Sequence, residues 1–309
     1  MQRRTLFSVV AVAACGAALW AASNPKPVNW HDLPEPFHTP SASNRPQVVD
    51  RPEGAQLSLP DGFTADVFAE GDFNRPRYML LGQNDEILLS DSGDRNERNG
   101  AVYALSLDGK IEKKVLEGLD RPYGLQLHED WLYVAETTSV KRYKYDGESR
   151  TAQTPGEQLV DMSEFGDGHW TRTLLFTPDH SKFYLTIGSA SNIDLNEDPM
   201  RAALHRYNPD GSGHETVATG LRNIIGLRFY PGTTDLWAAV QERDGLGDNL
   251  VPDYLVKIQE GGFYGWPIAY TGPHEEPRHK GVNPEKVQQS LYPDVLLGAH
   301  VAVLVMNFY

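Results

Sequence analysis

From Leu57 onward, short apolar runs alternate with polar turns of the Asn-Asp, Asp-Gly, Pro-Asp and Pro-Gly kind, and no amphipathic helix of useful length interrupts them. Such alternation predicts strand after strand. A repeat underlies it. Strand pairs separated by a polar turn end in Ile87-Leu88-Leu89, Trp131-Leu132-Tyr133, Lys182-Phe183-Tyr184 and Asp235-Leu236-Trp237, with central residues 44, 51 and 53 positions apart. Ahead of each lies a similar strand: Tyr78-Met79-Leu80, Tyr123-Gly124-Leu125, Leu174-Leu175-Phe176 and Gly226-Leu227-Arg228-Phe229. Three units continue into a strand that closes on Asp-Gly, at Tyr103–Leu105, Lys141–Tyr143 and His205–Tyr207. A period of this length with about four strands per unit predicts an all-β chain folded as a β-propeller, in which each unit buries its faces against its neighbours. A regularly turned β-sandwich is the alternative, and the repeat disfavours it. Met306–Tyr309 matches Leu227–Tyr230 and reads as the opening strand of a further unit, so about four blades are expected here, with C-terminal blades missing.

The N-terminus follows another pattern. Arg3 and Arg4 precede an apolar run from Leu6 to Ala22, which reads as an export signal over residues 1–23. Three fates are open: cleavage near Ala21-Ala22-Ser23, lipid attachment at Cys15 through the lipobox-like Val12-Ala13-Ala14-Cys15, or retention as an uncleaved helix. The expected location is the periplasm or cell envelope. Residues 24–53 are rich in Pro, Ser, Asn and His without a sustained period and are expected to form an extended arm. The propeller is then residues 54–309.

Charge and cysteine content narrow the function. A formal net charge of −14 disfavours nucleic acid, whose phosphates attract basic faces. Cys15 is the single cysteine, so no internal disulfide can form, and without paired histidines a zinc site is not expected either.

Three stretches place chemically capable residues at the edge of the strand pattern: Gly166–Arg172, Gly220–Asn223, and the run from Gln241–Asp244 to Gly262–Pro267. His169 follows a Gly-Asp-Gly turn before a strand, where a neutral imidazole at a propeller mouth can take a hydroxyl proton. Asp167 either tunes that ring or only makes the turn. Arg222-Asn223 stands at the same point of the next unit and offers a planar donor fork plus an amide. Arg77 and Tyr123 occupy the corresponding points of the first two units. Glu242, Asp244, Asp248 and Asp253, interleaved with Gly245 and Gly247, suit a hard cation such as calcium. Taken singly, each has a plainer reading: a surface histidine, a structural ion pair with an Asx turn, a solvated acidic loop. Their recurrence at one register favours a shared mouth.

Taken in order, Gly168-His169 with Arg172, Gly220-Leu221-Arg222-Asn223 with Gly226-Leu227, Glu242-Arg243-Asp244, and Gly262-Phe263-Tyr264-Gly265-Trp266-Pro267 resemble the sugar dehydrogenases that use pyrroloquinoline quinone (PQQ). The likeness runs from about Leu59 to the end and is strongest to the L-sorbosone and pyranose dehydrogenase group, with soluble aldose dehydrogenases more distant. The resemblance implies a six-bladed propeller, His169 as catalytic base, and Arg172, Arg222, Asn223 and, more loosely, Arg77 at the quinone, to which the shared register adds Tyr123. It also implies calcium held by carbonyls of the Arg243–Asp244 turn; Asp248 and Asp253 complete the expected metal set. The expected activity is oxidation of a sugar or sugar aldehyde. With no Cys-x-x-Cys-His present, electrons are expected to pass to a separate acceptor, a cytochrome or the quinone pool. The relatives' late blades supply further basic cofactor contacts, so the activity of this chain alone is open. A calcium-dependent hydrolase of lactonase type and a non-catalytic binding propeller are the rival readings.

Overall fold

The computed structural model describes residues 29–41, 43, 47, 49, 50, 52–165 and 168–308. The repeat units fold as four antiparallel sheets. The first holds β1 (Pro76–Leu81), β2 (Glu86–Asp91), β3 (Gly100–Ser106) and β4 (Ile111–Leu119). The second holds β5 (Leu125–His128), β6 (Trp131–Ala135) and β7 (Ser139–Asp146), with β8 (Thr151–Ala152) and β9 (Glu157–Asp161) both pairing on β7. The third is β10 (Leu174–Phe176), β11 (Phe183–Ile187), β12 (Ala203–Tyr207) and β13 (Glu215–Thr219). The fourth begins with β14 (Asn223–Phe229), β15 (Leu236–Gln241) and β16 (Pro252–Lys257).

A long excursion then leaves the fourth sheet. It contains β17 (Gly262–Phe263), the hairpin of β18 (Ala269–Tyr270) and β19 (His274–Glu275), and the single-turn helix α1 (Pro284–Gln288), before β20 (Val295–Ala299) returns to pair with β16. β17 pairs in parallel with β13, so the Gly262–Pro267 motif is tied to the third sheet, not its own. The all-β, four-blade propeller arrangement predicted from the repeat is present.

The register follows from burial. Leu88, Leu132, Phe183 and Leu236 all lie on the second strand of their sheets and are at most 5% exposed. The first strands face one another around the centre. There Tyr78, Tyr123, Leu125 and Ile225 join one apolar cluster, with Trp170 packed on it. Thr173 Oγ1 donates to the Ile225 carbonyl (2.7 Å), and Arg228 reaches across from β14 to the Tyr78 hydroxyl (3.4 Å). The middle of the propeller is therefore filled.

Two segments flank the sheets. The arm lies along the acidic loop: Phe37 N donates to the Leu246 carbonyl (2.7 Å), and the side chains of Thr39 and Ser41 accept from Asp248 N and Gly247 N. Residues 300–308 form no strand, unlike the reading of Met306–Tyr309. They run beside β14 and bond to side chains, not to a backbone ladder: Gln241 Nε2 donates to Val303 O (2.9 Å) and Arg228 Nε to Asn307 Oδ1 (3.1 Å). The export signal and Cys15 lie outside the described residues, as do Gly166 and Asp167.

Candidate active site

His169 sits on the loop that leads from the second sheet to β10. Its backbone N–H donates to the Ser189 carbonyl (3.0 Å), and its ring Nδ1 lies 2.9 Å from that same oxygen and 3.1 Å from Ser189 Oγ. A carbonyl can only accept, so Nδ1 carries the proton and Nε2 the lone pair. Nε2 has no partner among the described residues. Burial, then the Arg222 and Arg201 charges, hold the imidazolium form down, with a pKa lowered to about 4. The ring is thus neutral at pH 7 and presents a basic nitrogen. Two glycines make this possible. Gly168 has φ +117°, and a Cβ there would stand 2.5 Å from Ala190 Cα. Gly188 lets His169 and Asn223 approach each other, because a Cβ on it would meet both.

The loop between β11 and β12, residues 188–202, joins the three sequence motifs. Asn192 Oδ1 accepts from Arg222 Nη2 (3.1 Å) and from Asp244 N (3.0 Å), while Nδ2 donates to Asp244 O (2.9 Å). The Asn192 carbonyl accepts from Trp266 Nε1 (2.8 Å). Three stretches 30, 52 and 74 residues away therefore meet on one asparagine. Arg222 also donates to the Glu242 carbonyl (2.8 Å), and Asn223 Nδ2 donates to Gln241 Oε1 (2.9 Å). Asn223 Oδ1 is buried with no donor facing it, an acceptor that a bound group could satisfy.

On the other side of His169 is a basic pocket of about 320 Å³ lined by Arg75, Arg77, Ser92, Arg95, Arg121, Gly168 and Trp170. The guanidinium carbons of Arg121 and Arg77 stand 4.2 and 5.3 Å from the Trp170 ring centroid. Arg77 Nε donates to Ser92 Oγ (3.2 Å), and Arg75 pairs with Asp94 at 3.6 Å. Two arginines over one flat aromatic face, with Arg75 and Arg95 also lining the pocket, suit a planar anion.

Several expected site residues are placed otherwise. Arg172 is fully buried and donates to the carbonyls of His169 (2.7 Å) and Thr171 (3.0 Å), so it supports the base from behind and does not line the mouth. Tyr123 is buried beneath Trp170, with ring centroids 6.0 Å apart, and belongs to the filled centre.

The acidic residues do not converge. Asp253 is buried and its two oxygens accept from Glu242 N and Val303 N, whereas the Asp244 side chain is exposed and meets His300 Nδ1 at 3.0 Å. Asp248 is exposed as well. Arg243 is buried beside Glu276 (3.4 Å). Glu242, Arg243 and Asp253 are buried while Asp244 and Asp248 are exposed, so the loop's carboxylates are divided between the interior and the surface. Among the described residues no three His, Cys, Asp or Glu side chains gather to hold a metal ion.

The sequence reading missed Ser189, Asn192, Glu197 and Arg201, all on the 188–202 loop. Gly188-Ser189-Ala190-Ser191-Asn192 directly after an apolar strand was the available signal, a polar loop leaving the same edge as the other motifs.

The family model for TrAA12-like proteins matches residues 57–260. An uncharacterized protein of Borreliella burgdorferi is 24% identical over 264 residues, 82% of this chain and 67% of that protein. One from Synechocystis is 31% identical over 161 residues, 44% of this chain and 37% of that protein. Among solved structures, the holo PQQ domain of a pyranose dehydrogenase from Coprinopsis cinerea superposes with a TM-score of 0.65 at 19% identity, covering 78% of this chain and 69% of that one. A carbohydrate-active enzyme of family AA12 from Trichoderma reesei gives 0.66 at 18% identity, with 82% and 76% covered. The apo soluble aldose sugar dehydrogenase of Escherichia coli gives 0.58 at 18% identity, with 79% and 78% covered.

Proposed function

The chain belongs to the TrAA12-like family, and on that premise we propose that it oxidises a sugar or sugar aldehyde with PQQ as cofactor. The observation that carries this reading is the adjacency of a neutral histidine, its Nε2 bare, to an arginine pocket floored by tryptophan. PQQ is a planar tricarboxylate, and the residues present fit it. Arg77, Arg121 and Ser92 would hold carboxylate groups, Trp170 would meet the flat ring system, and Asn223 Oδ1 offers an unused acceptor. When bound, the quinone supplies a two-electron acceptor for the hydride of the substrate C–H bond.

The chain's own part is proton handling and shelter. Nε2 of His169 accepts the hydroxyl proton of the carbon being oxidised, while the Ser189 carbonyl keeps the ring facing the mouth. The proton then leaves from Nε2 to water. Buried Tyr78 and Tyr123, with Trp170 packed on them, exclude solvent from below. Among the described residues no carboxylate cage for calcium gathers, so the carbonyls of the Arg243–Asp244 turn would be the groups to hold that ion, and no step is assigned to it. The hydrolase alternative, which needs acids converging from several blades, draws no support from this arrangement.

Export by residues 1–23 and delivery of electrons to a separate acceptor complete the proposal. Its test is dye reduction by the PQQ-loaded chain with a panel of aldoses and sugar aldehydes. H169A should lower turnover by about 10²–10⁴-fold, the usual worth of a general base, while quenching of tryptophan fluorescence shows that quinone still binds. Loaded, folded protein that reduces no dye with any sugar or aldehyde overturns the reading.

A further inference from the structure

We propose that Glu197 is a positioning residue for His169, holding the Ser189 carbonyl at the one place where it can fix the ring. The inference rests on the dehydrogenase reading only for its kinetic consequences; the geometry stands alone.

The Ser189 oxygen takes three donors at once: His169 N (3.0 Å), His169 Nδ1 (2.9 Å) and Arg201 Nη2 (3.0 Å). A carbonyl has two lone pairs, so three donors must share them, and small shifts of the Ser189 backbone change which donor the oxygen favours. Glu197 holds that backbone. Its carboxylate accepts from Ala190 N (3.0 and 3.1 Å), Ser191 N (2.8 Å) and Ser191 Oγ (2.9 Å), the donors of the two residues immediately after Ser189. It also lies 3.7 Å from Arg201 Nε, and Arg201 in turn donates to the carbonyls of Gly188 (2.9 Å) and Ser189. One carboxylate thus fixes Ser189 from its C-terminal side directly and from its N-terminal side through Arg201. The Glu197 side chain is 9% exposed and that of Arg201 1%, so these charge-assisted contacts are little weakened by water.

A second consequence is electrostatic. When His169 takes a proton, the Arg222 and Arg201 charges oppose it and the Glu197 carboxylate favours it. Loss of Glu197 would leave the imidazolium to form beside the Arg222 and Arg201 charges without this counter-charge.

Two variants of the full chain separate geometry from charge. E197Q keeps an acceptor oxygen and loses the charge; E197A loses both. The first readout is the ¹⁵N signals of the His169 ring in the cofactor-free protein, assigned against H169A, with thermal unfolding as the check on folding. Wild type and E197Q should show the Nδ1–H tautomer, and E197A a mixture with Nε2–H. The second readout is kinetic, on PQQ-loaded protein. kcat should fall about 10-fold in E197Q and about 100-fold in E197A, the cost of a small misplacement of the base, with KM for the sugar changed less than about 3-fold. A folded E197A that keeps the wild-type tautomer overturns the inference, whatever its activity. Wild-type protein without dehydrogenase activity would overturn the proposed function, and the ring-nitrogen readout would still decide the role of Glu197.

Discussion

Replacing Gly188 by alanine should cripple the site from the inside with a single methyl group. A Cβ at this position would stand 2.4 Å from Asn223 Oδ1 and 2.6 Å from His169 Cβ, against the 3.4 Å of ordinary contact. Relief needs the amide oxygen to move by about 1 Å and the histidine by about 0.8 Å, and both belong to well-packed neighbours, so overpacking should cost about 1–3 kcal/mol. An opposing term exists. Gly188 does not adopt a left-handed backbone, so alanine stiffens the unfolded chain and returns about 0.4–1 kcal/mol. Overpacking wins, with a net loss of roughly 2–8 °C in melting temperature for a domain of this size. Turnover should suffer more, by about 10²-fold, because the base is displaced by nearly an ångström. Thermal unfolding and dye reduction measure the two effects. G188A that melts with the parent and turns over at the parental rate would show that His169 and Asn223 do not depend on this close approach.

Two further outcomes follow. N192A removes the side chain on which Arg222 and Asp244 meet, leaves a buried guanidinium donor unpaired, and should cost about 2–4 kcal/mol in urea unfolding together with most of the quinone affinity; a variant as stable and as tightly bound as wild type would contradict the hub. Acid should destabilise the fold between pH 6.5 and 4, because His169 and His205 are both lowered to about 4, chiefly by burial, and the unfolded chain takes up their protons first. Glu242, raised by burial to about 7, runs the other way between pH 7 and 4.5, since its folded form already holds a proton. These three groups by themselves leave a net loss of about 3 kcal/mol by pH 4; H169A and H205A, which remove the titrating rings, should each make the acid loss smaller, and an acid loss unchanged in both variants would refute the assignment.

The strands were legible because their signals are local. Leu88, Leu132, Phe183 and Leu236 are flanked by their own turns, so the period could be counted and the register follows. His169, Arg222 and Asn223 were legible through glycine-marked motifs. Asn192 and Ser189 were not, because what they do depends on partners 20 to 74 residues away that only the fold brings near. Arg172 misled for a related reason: its place in the Gly168-His169 motif marked it as a ligand for the quinone, whereas burial turned it toward the His169 backbone. The acidic loop misled because closeness in sequence was taken for convergence in space. Asp253 points into the protein and Asp244 out of it. The tie between β17 and β13, which brings Trp266 to Asn192, crosses from one sheet to the next and leaves no trace in the periodicity.

The filled centre of the propeller has a consequence for traffic. Tyr78, Tyr123 and Ile225 close the axis beneath Trp170, and Arg228 bonded to the Tyr78 hydroxyl bars it again lower down. The axis is a cup and not a tube. Among the described residues these side chains leave no passage beneath Trp170, so a group seated on that ring is reached from its opposite face. Depth would then dictate sequence in the proposed reaction: a broad group seated on Trp170 would arrive before a smaller molecule that lies above it and depart after it. On the proposed reading the blockage of the axis would set the order of binding, and Tyr78, shared by the apolar cluster and the Arg228 contact, would be its keystone.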